Sequence, residues 1–140
     1  MKWVTWEHIG VDRLACIWLI RRFIDPAAEF VFVHPRTQPL PPHAEPFDIP
    51  SVRLSHHRGH CTFHTMLEAY NLTDPTLKRI ARIVDEADVV QEMTIESAAP
   101  ELDLICRGIR LTCSDDYAAM ERGALVYDAL YAQLTLEQSI

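Results

Sequence analysis

The stretch "VDRLACIWLIRRFI", Val11 to Ile24, constrains this chain more than any other. Val11, Leu14, Ala15 and Trp18 fall at helical spacing. Cys16, Ile17, Leu19 and Ile20 carry the apolar surface nearly all the way round. A helix of this kind has little face to give to water and is buried. The rest of the chain must therefore supply neighbours on every side of it. Asp25-Pro26 closes the helix, because a residue before proline avoids the helical region.

Before this helix, "KWVTWE" alternates as a short strand does. After it, "EFVFV" reads as an interior strand. His34 to Pro46 holds five of the nine prolines and reads as an extended loop. "FDI" and "VRLS" read as short strand pieces around Pro50. The chain then turns helical: Phe63, Met66, Leu67 and Tyr70 form one apolar stripe. Thr73-Asp74-Pro75 is a helix start, a capping residue before a proline in the first turn. The spacing predicts a helix from Pro75 to Val90, with Leu77, Ile80, Val84 and Ala87 on one face. "APELDLICRGIRLTC" and "SDDYAAMERGALVYDALYAQL" add two more. Strands first and helices after give an α+β class: a small sheet of short N-terminal strands packed against a mainly helical C-terminal half. The length of 140 residues suits one domain, 1–140.

Several function classes drop out. No window of about 18 apolar residues exists, so no membrane span is expected. The N-terminus meets charges too early for a secretory signal, which places the protein in the cytoplasm. The formal net charge of −7 argues against direct nucleic-acid binding. Cys16, Cys61, Cys106 and Cys113 form no C-x-x-C pair, and four free thiols are expected. There is neither a Gly-flanked nucleophilic serine nor a Gly-rich phosphate loop.

Chemistry concentrates in "SHHRGHCTFH", Ser55 to His64, which packs His56, His57, His60, His64 and Cys61 together. His60 and His64 stand four apart, as do His64 and Glu68. On a helix such pairs leave one face and can share a metal ion. The competing reading is a polar loop whose imidazoles cap backbone groups. A metal site needs a remote ligand. On the helical wheel Asp88 falls between Ala81 and Val84 on the apolar face, and Asp85 sits at its edge. A carboxylate facing a core calls for an ion pair, hydrogen bonds or a metal. Asp116 falls on an apolar face in a first turn, where the helix dipole accounts for it. Arg13 and Arg21 could hold a buried carboxylate or an oxyanion through paired N–H donors, while Arg22 reads as a rim residue. Arg13 beside Asp12 also reads as a local pair. Trp3, Trp6 and Trp18 read as core or partner-surface aromatics. Cys16 reads as inert, and Cys61, among imidazoles, as a candidate low-pKa thiolate.

Four segments carry a family resemblance. "DRLACIWLIRRFIDPAAEFVFV" resembles the D-R-x-A-C-P-W-L-I-R-R-F-I-D-P segment of the chromate-resistance ChrB C-terminal domain family. "PFDIPSVRLSHHRGHCTF" resembles its P-F-D-I-P-G-V and H-x(4)-C-[ST]-F segments. "IARIVDEAD" and "VYDALYAQ" are similar to its L-A-R-I-V-R-G-A-D and M-Y-D-A-L-Y-A-W. The likeness runs from about Asp12 to Tyr131. This chain departs from the pattern at Ile17 and Ser51, where the family has proline and glycine. The shared polar residues are Asp12, Arg13, Cys16, Arg21, Arg22, Asp25, Asp48, His56, Cys61, Asp85 or Asp88, and Asp128. His57, His60 and His64 are particular to this chain.

The resemblance implies a part in chromate resistance, often within a regulator that carries an additional DNA-binding region; a stand-alone domain is expected here. The leading expectation is a cytoplasmic, stress-response regulator that binds a divalent transition metal: zinc, iron, nickel or manganese. His56, Cys61 and Asp85 or Asp88 would ligate it, with His57, His60 and His64 nearby. Arg13 and Arg21 would support the carboxylates or bind chromate or another oxyanion. The alternatives are a small metalloenzyme acting on reactive oxygen species or an oxyanion, and an interaction module with no small-molecule site. An open metal position beside a pocket separates the enzyme from a closed structural site.

Overall fold

The computed structural model describes residues 1–88 and 95–139. Three strands come first: β1 Lys2–Trp6, β2 Glu29–Val33 and β3 Ala44–Pro46. Between β1 and β2 lies α1, Val11–Leu19, which runs on through a π-helical turn, Ile20–Ile24. Four helices follow: α2 Thr62–Ala69, α3 Pro75–Asp88, α4 Ala98–Thr112 and α5 Asp116–Gln138. The α+β class holds. Val89 and Val90, the expected end of α3, lie outside the described residues.

The sheet is parallel throughout, in the order β2-β1-β3. Trp3 pairs with Phe30 and with Glu45, which fixes the register on both sides. β1 is therefore the interior strand, and Trp3, Val4 and Thr5 are buried in it. "EFVFV" is an edge strand and not an interior one: only Phe30 is buried, because neighbours cover one side alone. The proline-rich stretch ends in β3, a short strand where the prolines predict loop. Around Pro50 there are no strands, only an isolated parallel bridge between Phe47 and Leu54.

Helix α1 is buried along its whole length except at Arg13. It needs neighbours all round and finds them in α2, α3, α4 and α5. Gly123 lets α5 approach: a Cβ there would lie 2.6 Å from Leu14 Cδ2. Tyr127 donates its hydroxyl to the Val11 carbonyl at 2.7 Å, and Trp18 donates Nε1–H to Asp128 at 2.9 Å. Each large side chain buried this way contributes roughly 1.5–3 kcal/mol. Trp3 and Trp18 are core residues, whereas Trp6 is only half-buried.

Helix starts follow the sequence signals. Asp74 accepts the Thr76 N–H at 2.8 Å ahead of Pro75, and Asp115 accepts that of Ala118 at 2.8 Å. Asp116 does more than face a helix dipole: its carboxylate accepts the N–H groups of His8 and Ile9, both at 3.0 Å, and so pins the β1–α1 loop. Among the described residues no helix is long and apolar enough to cross a membrane.

Candidate metal centre

The carboxyl ends of β1 and β3 open into a cleft of about 600 Å³. This is where ligands gather in open sheets of parallel strands. Trp6 from the end of β1, Asp12 and Arg13 from the first turn of α1, Asp48 just beyond β3, His56, and Asp88 from the end of α3 all line it.

Asp12 is the deepest of these, at 2% exposure. An ionised carboxylate survives burial only when its lone pairs are filled. Asp12 fills them on the start of α2: Oδ2 accepts the Thr62 N–H at 2.9 Å and Oδ1 the Phe63 N–H at 3.0 Å. It thus caps a neighbouring helix, whose first N–H groups have no partner of their own. The Cys16 thiol lies 3.6 Å from Oδ1. Asp48 sits at a positive φ of 52° and accepts the Thr62 hydroxyl at 2.7 Å. Arg13 Nη2 donates to the Asp48 carbonyl at 3.0 Å. Arg13 Nε lies 3.0 Å from Asp48 Oδ2 at an angle that makes a charge contact and not a hydrogen bond. The same guanidinium covers the Trp6 ring at 5.7 Å.

His56 brings the set together. Its Nε2 lies 3.1 Å from Asp12 Oδ2, 3.1 Å from Asp88 Oδ2 and 3.6 Å from Asp48 Oδ1. Ligand atoms of Asp12, Asp48 and His56 all fall within 4.8 Å of one another. The hydrogen bond to Asp12 and the surrounding carboxylates raise the His56 pKa to about 9. Burial, then the charge of Asp12, raises Asp48 to about 7 and Asp88 to about 6. Three acids crowd one imidazole, and the centre holds protons that free side chains would have released.

The other sequence candidates disperse. The wheel placed Asp88 on the core and Asp85 at the edge, and the structure reverses them. Asp85 is buried, at 8% exposure, while Asp88 is an exposed residue whose carboxylate still reaches His56. Asp85 Oδ1 accepts the Cys61 N–H at 2.7 Å, and Oδ2 meets His60 Nδ1 at 2.8 Å. The Cys61 sulfur faces the core, 3.9 Å from the Ala81 carbonyl. Burial pushes its pKa far above the usual thiol value, so the low-pKa thiolate is corrected. Cys16 is likewise raised by burial. His57 Nε2 contacts the Arg53 carbonyl at 2.8 Å. Arg58 and Gly59, both at positive φ, make the tight turn that sets His57 opposite His60. His60 and His64 stack on each other, away from His56. Arg21 pairs with Glu121 of α5 at 3.0 Å, outside the cleft, so only Arg13 of the two arginines is at the site. Arg22 pairs with Asp128 at the half-exposed rim.

Asp12 and Asp48 carry more of the site than their sequence context suggests. Asp12 is not simply a local partner of Arg13: it caps α2 and meets His56. Its place inside a helix apolar on all sides was the usable signal, the same argument that singled out Asp88. Asp48 follows a strand too short to read, and only its place in the "PFDIP" resemblance pointed to it.

The sequence model of the family described as "ChrB, C-terminal domain" matches residues 3–134. Protein ChrB of Cupriavidus metallidurans is 31% identical over 135 residues, which covers 96% of this chain and 41% of that protein. This chain therefore spans less than half the length of that relative. No solved structure matches the chain significantly.

Proposed function

This chain belongs to the ChrB C-terminal domain family, and from that premise we propose a chromate-resistance domain that binds one divalent transition-metal ion through Asp12, Asp48 and His56. The observation that carries the reading is the convergence of three ligand atoms within 4.8 Å, at the wall of an open cleft. The donor set fits such an ion. It offers two carboxylate oxygens and one imidazole nitrogen, with no thiolate, which suits manganese and iron first and admits nickel and zinc. The outer contacts fit as well: backbone N–H groups orient Asp12, and the Thr62 hydroxyl and Arg13 orient Asp48. Charge points the same way. Asp12, Asp48 and Asp88 outweigh Arg13 and a protonated His56, and exchanging the imidazole proton for a divalent ion would neutralise the cluster.

The cleft beside the three ligands gives the site an open side. That favours, as the second reading, a small metalloenzyme acting on reactive oxygen species or an oxyanion over a closed structural centre. A sensing or regulatory role remains the leading proposal, because the longer relative has the remainder of its chain to respond to this domain. Oxyanion binding falls to Arg13, with Arg110 also lining the cleft, and not to Arg21. The proposed location is the cytoplasm.

Elemental analysis of untagged protein, followed by calorimetric titration with manganese and zinc, tests the reading. Binding of one ion that is lost in His56→Ala and in Asp48→Asn supports it. Unchanged binding in both variants, or no binding in the wild type, removes this centre and leaves an interaction module.

A further inference from the structure

Helix α5 has two apolar sides. Ala119, Gly123, Tyr127 and Leu134 turn inward and are buried. Leu125, Ala129, Ala132 and Leu136 are exposed on the opposite side, the two leucines at 71% and 57%. A helix apolar on opposite sides calls for neighbours on both, as α1 does. Helix α1 finds them within the fold; among the described residues nothing buries the outer side of α5. Helix α4 packs beside α5, and Arg122 of α5 donates to the Thr112 carbonyl of α4 at 3.2 Å. It adds Leu104, Ile105 and Leu111 to the exposed apolar surface of this helix pair, at 70%, 50% and 87%. Outside α4 and α5, the large exposed apolar side chains among the described residues are Met1 and Ile95 alone. Such residues scattered singly are ordinary, but a gathered set marks a contact surface.

The spacing names the occupant. Leu125, Ala129, Ala132 and Leu136 advance by four, three and four residues, the seam of a coiled coil. The series reads the same from either end. A second α5 laid antiparallel about the midpoint of Ala129 and Ala132 sets Leu125 against the partner's Leu136 and Ala129 against the partner's Ala132. Every contact is then exchanged by a two-fold axis, as a self-complementary interface requires. The alanines let the two backbones approach, and the leucines close the ends. On the flanks this register sets Asp128 beside the partner's Thr135 and Val126 beside the partner's Gln133, so like charges do not meet despite the net charge of −7. At 1.5 Å per residue α5 is about 34 Å long and α4 about 22 Å; at a width of about 10 Å each, they present roughly 600 Å². That reaches the lower bound of what one partner of a stable complex buries. We propose that this face is the interface of a homodimer, in which two copies pack α5 antiparallel against α5, with both α4 helices alongside, as a four-helix bundle. No seam residue lines the aspartate cleft, so each copy keeps its own cleft open.

Sedimentation equilibrium of the untagged protein over about a hundredfold range of concentration tests the proposal. The wild type should pass from monomer to dimer or stay dimeric throughout. Ala129→Glu and Ala132→Lys each bury an unpaired charge twice in the two-fold contact. Either should raise the dissociation constant by about a hundredfold or more. Mixing the two variants brings the new carboxylate of one chain against the new ammonium of the other and should restore association as a heterodimer. A misfolded chain cannot give that rescue, so loss of the dimer through unfolding is told apart from loss of the contact. A wild type that stays monomeric overturns the proposal and leaves the face to a different protein. A dimer that survives both single substitutions overturns it too, because its interface lies elsewhere. Disruption without rescue on mixing overturns the antiparallel register on which the proposal rests.

Discussion

His56 and His60 are each held by an aspartate that caps the same helix, yet the two sites are built differently. Asp12, from α1, takes the N–H groups of Thr62 and Phe63 and meets His56. Asp85, from α3, takes the N–H of Cys61 and meets His60. Behind His56 stand two more carboxylates; against His60 lies a second imidazole. The difference teaches that a cap fixes a carboxylate, but what gathers on its free side sets the chemistry. In one place crowded carboxylates hold protons. In the other, two imidazoles stack face to face.

The largest test of this contrast is to remove the caps. Asp12→Ala leaves two N–H groups of α2 unpaired in the core and should cost about 3 kcal/mol in urea unfolding, the range for hydrogen bonds to a buried charge. Asp85→Ala frees one buried N–H instead of two and should cost about 1–2 kcal/mol. Equal costs would mean that the two caps are equivalent and that burial of Asp12 has no special weight.

Next comes pH. His56 has its folded pKa raised from 6.5 to about 9, so its stabilising contribution is complete below 6.5 and is lost as pH rises to 9. Asp48 and Asp88 are raised from 3.8 to about 7 and about 6, so the folded chain keeps protons that the unfolded chain has released. Their ionisation costs stability between about pH 4 and 7. Both effects run the same way. The metal-free melting temperature should fall from pH 6 to pH 9, and His56→Ala should flatten the upper part of that slope. Metal affinity at the aspartate centre should rise over the same interval, since the ion displaces the His56 proton. A melting temperature that climbs with pH would break the assignment of His56 as the shared counter-cation.

The smallest expected effect belongs to Arg21. Its exposed pair with Glu121 should contribute under about 0.5 kcal/mol, so Arg21→Ala leaves stability and metal binding nearly unchanged. A large loss in either would place Arg21 in the site, where the geometry does not.

Periodicity made α1 and the later helices legible, because an apolar stripe of ten or so residues repeats its message. The sheet was harder. β3 is three residues long and ends in proline, too short for alternation to be heard. The interior and edge roles of β1 and β2 depend on which strand β3 joins, a choice made by the tertiary chain path. In the site, the histidines stood out by density, but their division into two groups did not. That division arises from the Arg58-Gly59 turn and from carboxylates on α1 and α3, distant in sequence. Adjacency of Asp12 and Arg13 suggests a pair, but neighbours i and i+1 on a helix do not face each other. Arg13 in fact reaches Asp48.

The shared cap of α2 makes its first amides natural spectroscopic probes. The Cys61 amide proton points at the aspartate that serves His60, and those of Thr62 and Phe63 point at the aspartate that serves His56. In a nitrogen–proton correlation spectrum these are resonances of three consecutive residues. An ion entering the aspartate cleft should move the Thr62 and Phe63 peaks first and the Cys61 peak least. If it moves all three together, the end of α2 transmits displacement from one capping aspartate to the other, and slowed hydrogen exchange at these amides would measure how firmly it does so.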